Sequence, residues 1–530
     1  MARPGNWRIS PKAEKKASIR GMFSSARIRM AGSFQGDSFY GKGRLAAGHR
    51  AFPAIPSGRR LAALPHQRIP DMPREPRLQR LRRELRALAS LALPIIVAQL
   101  AHIAMGFVDT LMAGRVGPAD LAAVALGNSL WVPTYLLTTG ILLATTPKVA
   151  HLHGAGRQPE TGPLVRQALW LALAVGSAAA LLLWNAEPVL HLMQVEPALI
   201  GPTMGYLRAV ACGIPAVALY HVLRCFSDGL GHTRPSMLIG IAGLLLNIPA
   251  NYIFIHGKFG LPAMGGVGCG WATALVMIFM LLAMLFWTRR APCYQPSRLF
   301  GRFDRPHWPV IRRLLGIGLP IGVAVFAEAS IFSVIALLIG GLGAKVVAGH
   351  QIALNFSGLV FMIPYSLGMA VSVRVGHALG RGSPRDARFG VGAGMASALG
   401  FAALAAGAML LLREQIPHIY SRDPAVIAIA GGLLLYSALF QFSDAIQVTA
   451  AGALRGYQDT RAIMLITLFA YWGIGLPIGY CLGLTGWLGD PSGPRGLWQG
   501  MVIGLSCAAL LLGARLARSA RRHIHASGAA

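Results

Sequence analysis

Residues 88–112 read LASLALPIIVAQLAHIAMGFVDTLM, an apolar run broken only by His102 and the carboxylate of Asp109 among its ionisable groups. The run has the roughly 20 residues that an α-helix needs to cross a 30 Å hydrocarbon core. A carboxylate inside such a helix costs about 2.5–3.5 kcal/mol on insertion scales, so it must recover that cost from a partner or a task. Similar runs follow near 119–146, 164–185, 198–222, 236–256, 266–288, 314–338, 346–372, 389–412, 425–450, 462–484 and 496–516. Two of them carry Glu328 and Asp444, in a chain with only 19 acidic residues. With 54% hydrophobic and 13% charged residues and a mean hydropathy of +0.54, the composition excludes a soluble globule. It predicts an all-α polytopic membrane protein of twelve transmembrane helices.

Arg and Lys gather in the loops on one side. These hold Lys148, Arg157 and Arg166; Arg224 and Arg234; the stretch from Arg289 to Arg313; Arg374 to Arg388; Arg455 and Arg461; and Arg515 to Arg522. The positive-inside rule then predicts a cell inner membrane protein with both termini in the cytoplasm. The net charge of +30 resides in these loops and in the first 86 residues, so membrane lipid is an expected partner and nucleic acid is not. Residues 1–85 are read as a basic tail. Within it, 1–71 are Arg- and Ser-rich with no periodic apolar face, hence disordered; they resemble a transit peptide, or else translation starts at Met72. An intact mass that includes Met1 to Asp71 would remove the second reading. Leu78, Leu81, Leu85 and Leu88 recur at helical spacing among five arginines, predicting a helix lying on the inner membrane surface. The six cysteines show no metal or redox spacing, and no function is assigned to them.

The chain repeats itself. A shift of 226 residues sets Leu93-Pro94 on Leu319-Pro320, Gly117 on Gly343, Lys148 on Arg374, His151 on His377 and Gly154 on Gly380. Further on, a shift of 231 sets Leu223-Arg224 and Asp228 on Leu454-Arg455 and Asp459, and a shift of 227 sets Thr233-Arg234 on Thr460-Arg461. This divides the chain into an N-lobe (86–290), a cytoplasmic linker (291–313), a C-lobe (314–518) and a basic C-terminal tail (519–530). Six spans is an even number, so both lobes enter the membrane the same way, related by a pseudo-twofold axis along the membrane normal. Parallel repeats of this kind rock about a central cavity with substrate near the midplane. The acids break the repeat: Glu328 is answered by His102, Asp109 by Ile335 and, in the later register, Asp444 by Gly213. Asp228 and Asp459, beside Arg224 and Arg455, are expected to form ion-paired anchors or a gate at the inner helix ends.

Gly106-Phe107-Val108-Asp109-Thr110, Leu245-Leu246-Asn247-Ile248-Pro249, Gly265-Gly266-Val267-Gly268-Cys269-Gly270, Gly349-His350-Gln351-Ile352-Ala353-Leu354-Asn355-Phe356 and Leu454-Arg455-Gly456-Tyr457 closely resemble the NorM branch of the multidrug and toxic compound extrusion (MATE) transporters. The resemblance covers about 85–518. It implies antiport of cationic amphipathic drugs or dyes against Na+ or H+ as coupling ion, with no other cofactor, by a monomer. Glu328 and Asp444 match the C-lobe acids of the family's cation site and Phe361 an aromatic placed against the ion, so these three are the Na+ candidates. Asp109 matches the N-lobe acid, with Asn247, Asn251 and Thr273 as its expected hydrogen-bond neighbours. Gln351 and Asn355 join the expected site. His102 stands where the resemblance leads one to expect Gln and is a candidate proton carrier, whereas Phe440 stands where some relatives have Tyr, which removes a hydroxyl from the substrate path.

Each residue also has a plainer reading. Buried amides such as Asn247, Asn251, Gln351 and Asn355 often only tie helices together, and His221 and His350 are read as structural. Two other function classes fit the sequence less well. A flippase for lipid-linked oligosaccharides would share the two lobes but needs basic residues in its cavity. A membrane enzyme would need a catalytic cluster, and no HExxH, Walker A loop or Gly-x-Ser-x-Gly elbow occurs.

Overall fold

The computed structural model describes residues 76–528 except 486, 488 and 489. The expectations for residues 1–75, a disordered tail and a start at Met72, lie outside the described residues. Among the described residues, twelve helical segments are long and apolar enough to cross a membrane: α1 (Arg77–Val116), α2 (Pro118–Gly154), α3 (Gln158–Trp184), α4 (Pro197–Gly229), α5 (Arg234–His256), α6 (Gly266–Arg290), α7 (Trp308–Gly340), α8 (Ala344–Gly380), α9 (Pro384–Leu411), α10 (Pro424–Gly456), α11 (Thr460–Leu484) and α12 (Pro494–Ala526). They form two six-helix lobes, α1–α6 and α7–α12. Several helices start on a proline, as at Pro118, Pro197, Pro384 and Pro424, because the first turn leaves its N–H groups unpaired anyway. Asp423 caps α10 by accepting from the Ala425 N–H at 2.9 Å. That bond and Lys345, 3.1 Å away, hold its carboxyl below the usual range. Helix α11 carries a π-helical stretch, Phe469–Gly475.

The lobes meet along the half of the bundle that carries both ends of the membrane domain. There Gly154 of α2 lies against His377 of α8, and Gly380 of α8 lies against His151 of α2, a reciprocal contact between equivalents of the 226-residue repeat. Ala150 and Gly376 are themselves equivalents, and a Cβ on Gly376 would stand 2.7 Å from the Ala150 Cβ. Contact between a position and its own equivalent marks where a twofold axis passes. Nearby, Gly140 backs onto Gly322 of α7, with room for no side chain between them. Arg374 grips Glu84 of α1 through Nη2 at 2.6 and 2.7 Å, Arg80 pairs with Asp386, and the His377 ring bonds the Gly229 carbonyl at 2.8 Å. Among the described residues, the hydrogen bonds and ion pairs that join the two lobes lie at this end.

Packing also sets the register of the repeat. Gly229, ending α4, sits on Val149 and Thr146; Gly456, ending α10, sits on Val375 and Ser372. Those partners are 226 residues apart, so Gly229 and Gly456 are equivalents and the late register is 227 rather than 231. The four-residue error is about one helical turn, which keeps the same face and so hides in a sequence match. Asp444 therefore answers Val217, not Gly213.

Element boundaries differ from the hydropathy reading at three places. Residues 77–85, assigned to the tail, are the first turns of α1, continuous with its span rather than a separate surface helix. Arg80 lies over the Phe389 ring at 4.2 Å and Leu88 is buried, so this segment is docked on α8 and α9. Likewise α7 begins at Trp308, inside the expected linker, and α12 runs to Ala526, through the expected tail. Backbone hydrogen bonding continues past the hydrocarbon edge, and long basic side chains reach water from there.

Candidate substrate and ion site

Asp109 is buried on α1. Its Oδ1 accepts from the Nδ2 of Asn247 at 3.0 Å and of Asn251 at 2.6 Å, and its Oδ2 from Thr273 Oγ1 at 3.0 Å. The two asparagines are four residues apart on α5 and so share a face; Thr273 comes from α6. Hydrogen bonds to an ionised acceptor are roughly twice as strong as neutral ones, so three converging donors both orient the carboxylate and lower the cost of burying its charge.

The carboxylate lines a cavity of about 510 Å³ between the lobes. Outward from the seam, α1 contributes Gln99, His102 and Asp109. At 1.5 Å per residue, Asp109 stands roughly 15 Å above Gln99. Trp131, Tyr135 and Tyr206 wall the N-lobe side, and Met362, Tyr365 and Met369 the C-lobe side. The His102 ring stacks on Tyr135 at 5.4 Å, and the Tyr135 hydroxyl shares a 2.8 Å hydrogen bond with His221 Nε2. At the deep end Arg224 donates to Gln99 Oε1 at 3.0 Å and lies 3.5 Å from Asp228 Oδ2. The Asp228 carboxylate also accepts from Ser236 at 3.3 Å.

Glu328 and Asp444 lie elsewhere, inside the C-lobe, within electrostatic reach of one another and outside the Asp109 cavity. Gln447 donates to Glu328 Oε1 at 3.4 Å while its own carbonyl accepts from Tyr471 at 2.8 Å. In the repeat register Glu328 and Phe361 are the equivalents of His102 and Tyr135. Each lobe thus places an ionisable group and an aromatic ring at matching points. The Phe361 ring lies 5.6 Å from Tyr365. Gln351 and Asn355 are exposed on α8 and do not line the Asp109 cavity.

Two expectations are corrected. Asp459 does not pair with Arg455: it accepts from Arg515 at 2.6 Å and Ser519 at 3.1 Å on α12. Helix α10 ends at Gly456, so Asp459 lies beyond the turn and loses the i, i+4 geometry that Asp228 keeps inside α4. Arg455 is left buried, within electrostatic reach of Tyr365 and Glu328. Phe440 is also not in the substrate path; it is buried in the C-lobe core against Trp498, ring centroids 5.9 Å apart, so a hydroxyl there would meet packing rather than substrate.

Sequence reasoning missed Tyr135, Gln99, Asn128, Gln447 and the cavity-facing place of His221. A signal existed for three of them. Gln99 lies three residues before His102, His221 three before Arg224 and Gln447 three after Asp444, one helical turn in each case.

The profile of the MatE family matches residues 94–253 and 320–481, once in each lobe. The chain is 69% identical over 436 residues to multidrug resistance protein PmpM of Pseudomonas aeruginosa, covering 82% of this chain and 91% of that protein. It is 48% identical over 428 residues to multidrug resistance protein MdtK of Yersinia pseudotuberculosis, covering 81% and 94%. In fold it is similar to the eukaryotic MATE transporter AtDTX14, with TM-score 0.76 at 20% identity over 84% of this chain and 99% of that one. An outward-facing multidrug resistance MATE transporter matches with TM-score 0.75 at 19% identity, over 83% and 96%. The chain belongs to the MatE family: it is a multi-pass membrane transporter of the multidrug resistance class and not an enzyme.

Proposed function

We propose that this MatE family member exports amphipathic organic cations by alternating access, as a monomer of the NorM type in a cell inner membrane, in exchange for Na+ or H+. The observation that carries the reading is the Asp109 carboxylate, held by three donors in an aromatic-walled cavity whose termini-bearing side is sealed. A carboxylate attracts the cationic centre, and ring faces add cation–π attraction of about 2 kcal/mol or more where water is excluded. With both termini cytoplasmic, the sealed side is the inner one and the cavity belongs to the outward-facing arrangement. Arg224 is the one Arg or Lys lining it among the described residues, and it is engaged by Asp228 and Gln99, which disfavours a pyrophosphate-binding flippase.

Glu328 and Asp444, together with Phe361, are the proposed coupling-ion site. A hard cation prefers oxygen ligands, and two neighbouring carboxylates offer them. A coupling ion moves the equilibrium between lobe arrangements only by its differential affinity for the two, so coupling through the C-lobe does not require contact with substrate in the N-lobe cavity. The test is ethidium movement in proteoliposomes, under a Na+ gradient at clamped pH and then under a pH gradient without Na+. Asp109→Asn is expected to abolish ethidium binding, while Glu328→Gln and Asp444→Asn leave binding and abolish gradient-driven transport. Undiminished gradient-driven efflux in both C-lobe variants would remove the coupling assignment.

A further inference from the structure

A second cavity, of about 680 Å³, opens at the termini-bearing end between the lobes. Its lining brings together Lys148 of α2, Arg312 and Arg313 of α7 and Arg461 of α11, with Asp459 as the one acid. Asp459 is already taken by Arg515 and Ser519. Lys148 and Arg313 are near enough to act on each other's charge, and Lys148, Arg312 and Arg461 have no ion-pair partner among the described residues. Like charges gathered from three helices call for an anion to offset them.

The repeat shows what is missing. Lys148 is the equivalent of Arg374, and Arg374 is held by Glu84 with Nη2 contacts of 2.6 and 2.7 Å. The equivalent of Glu84 is Val310. The N-lobe answers Arg374 of its partner lobe with a carboxylate; at the equivalent point the C-lobe carries Val310, which packs against the N-lobe core beside the cavity and offers Lys148 no charge.

We infer that this cavity binds the phosphodiester headgroup of an anionic phospholipid, the phosphate occupying the place that Glu84 fills in the other half. Arg and Lys donors converging from several helices suit the many acceptor oxygens of a phosphate, and basic pockets between spans on the positive side of a membrane are suited to such headgroups. Two features favour a lipid over free phosphate. The apolar run of α7 starts at Leu314, directly after Arg312 and Arg313, which sets the cations at headgroup level. Trp308 at the rim is 65% exposed and nearby Phe303 80%, as interfacial aromatics are. Because the donors come from both lobes, a bound headgroup ties α2 to α7 and α11 and holds the seam shut.

The test uses the full chain purified in detergent, with phosphatidylglycerol, phosphatidylcholine or inorganic phosphate added, read by native mass spectrometry and by the thermal unfolding midpoint. Phosphatidylglycerol is expected to be retained and to raise the midpoint, with binding about fivefold weaker for each cation removed in Lys148→Gln and Arg461→Gln. Val310→Glu puts a carboxylate beside the cavity and is expected to abolish retention, whereas Val310→Ala, which removes only the packing against the N-lobe core, is expected to keep it. Equal retention of phosphatidylglycerol by Val310→Glu and the cation variants, or of phosphatidylcholine by the wild type, would overturn the site. Protection by inorganic phosphate matching that by phosphatidylglycerol would overturn the lipid assignment.

Discussion

Gly140→Ala tests whether the seam is a gate. A Cβ at residue 140 would stand 2.6 Å from the Gly322 Cα and 3.2 Å from its N, whereas carbon atoms in contact prefer about 3.5–4.0 Å. The atoms in the way are backbone, so α2 and α7 must part by roughly 1 Å. Overpacking of that kind costs about 1–3 kcal/mol, and the cost arises only in the arrangement where the two helices touch. If the lobes alternate between two states, the sealed state loses about 5- to 150-fold in relative population. The assay is labelling of Thr139→Cys, which lines the cavity, by a membrane-impermeant maleimide added from the termini-bearing side, in a background without the six native cysteines. Gly140→Ala should raise the labelling rate by that factor, and Gly400→Ala, where a Cβ would meet nothing within 4 Å, should not. Unchanged labelling in Gly140→Ala, or an equal rise in Gly400→Ala, would refute the gate.

Glu84→Gln removes the charge that faces Arg374 in a pair whose side chains are 9% and 21% exposed. The expected loss is about 2 kcal/mol, read as a lower unfolding midpoint, and a coupling below about 0.5 kcal/mol in a double-mutant cycle with Arg374→Gln would contradict it. Asp459→Asn should lower the midpoint by weakening the Arg515 contact while leaving transport within about twofold, because Asp459 does not line the Asp109 cavity. Asp228→Asn should lower both, because it leaves Arg224 buried beside the substrate cavity without its counter-charge; normal transport in Asp228→Asn would count against a functional role for that pair.

The twelve spans were legible because the membrane criterion is local: about 20 apolar residues suffice whatever they pack against. The Asp109 cluster was legible only through the family resemblance; spacing by itself says that Asn247 and Asn251 share a helix face, not what that face meets. The register of residues 223–228 was not legible, although the match of Thr233-Arg234 to Thr460-Arg461 just after them already carried the shift of 227. Leu223-Arg224 and Asp228 match Leu454-Arg455 and Asp459 in letters, yet the helix ends at Gly229 in one lobe and at Gly456 in the other, which places the second aspartate outside its helix. Phe440 illustrates the same limit, because a helix buried on several sides does not announce which face meets the cavity.

What the sequence determined by itself was everything set by local composition and by duplication: an all-helical membrane protein, its two halves, the sidedness of its charge and the three carboxylates that hydrocarbon makes costly. Tertiary structure alone decided that Asp109 faces a cavity separate from Glu328 and Asp444, that Asp459 answers to Arg515, and that Lys148 lacks the carboxylate its twin Arg374 possesses. The physical reason is that a helix fixes neighbours only within a turn or two, about 5–11 Å of axis. Contacts between helices depend on rotation and axial offset, which a four-residue slip leaves invisible in the chain and changes completely in space.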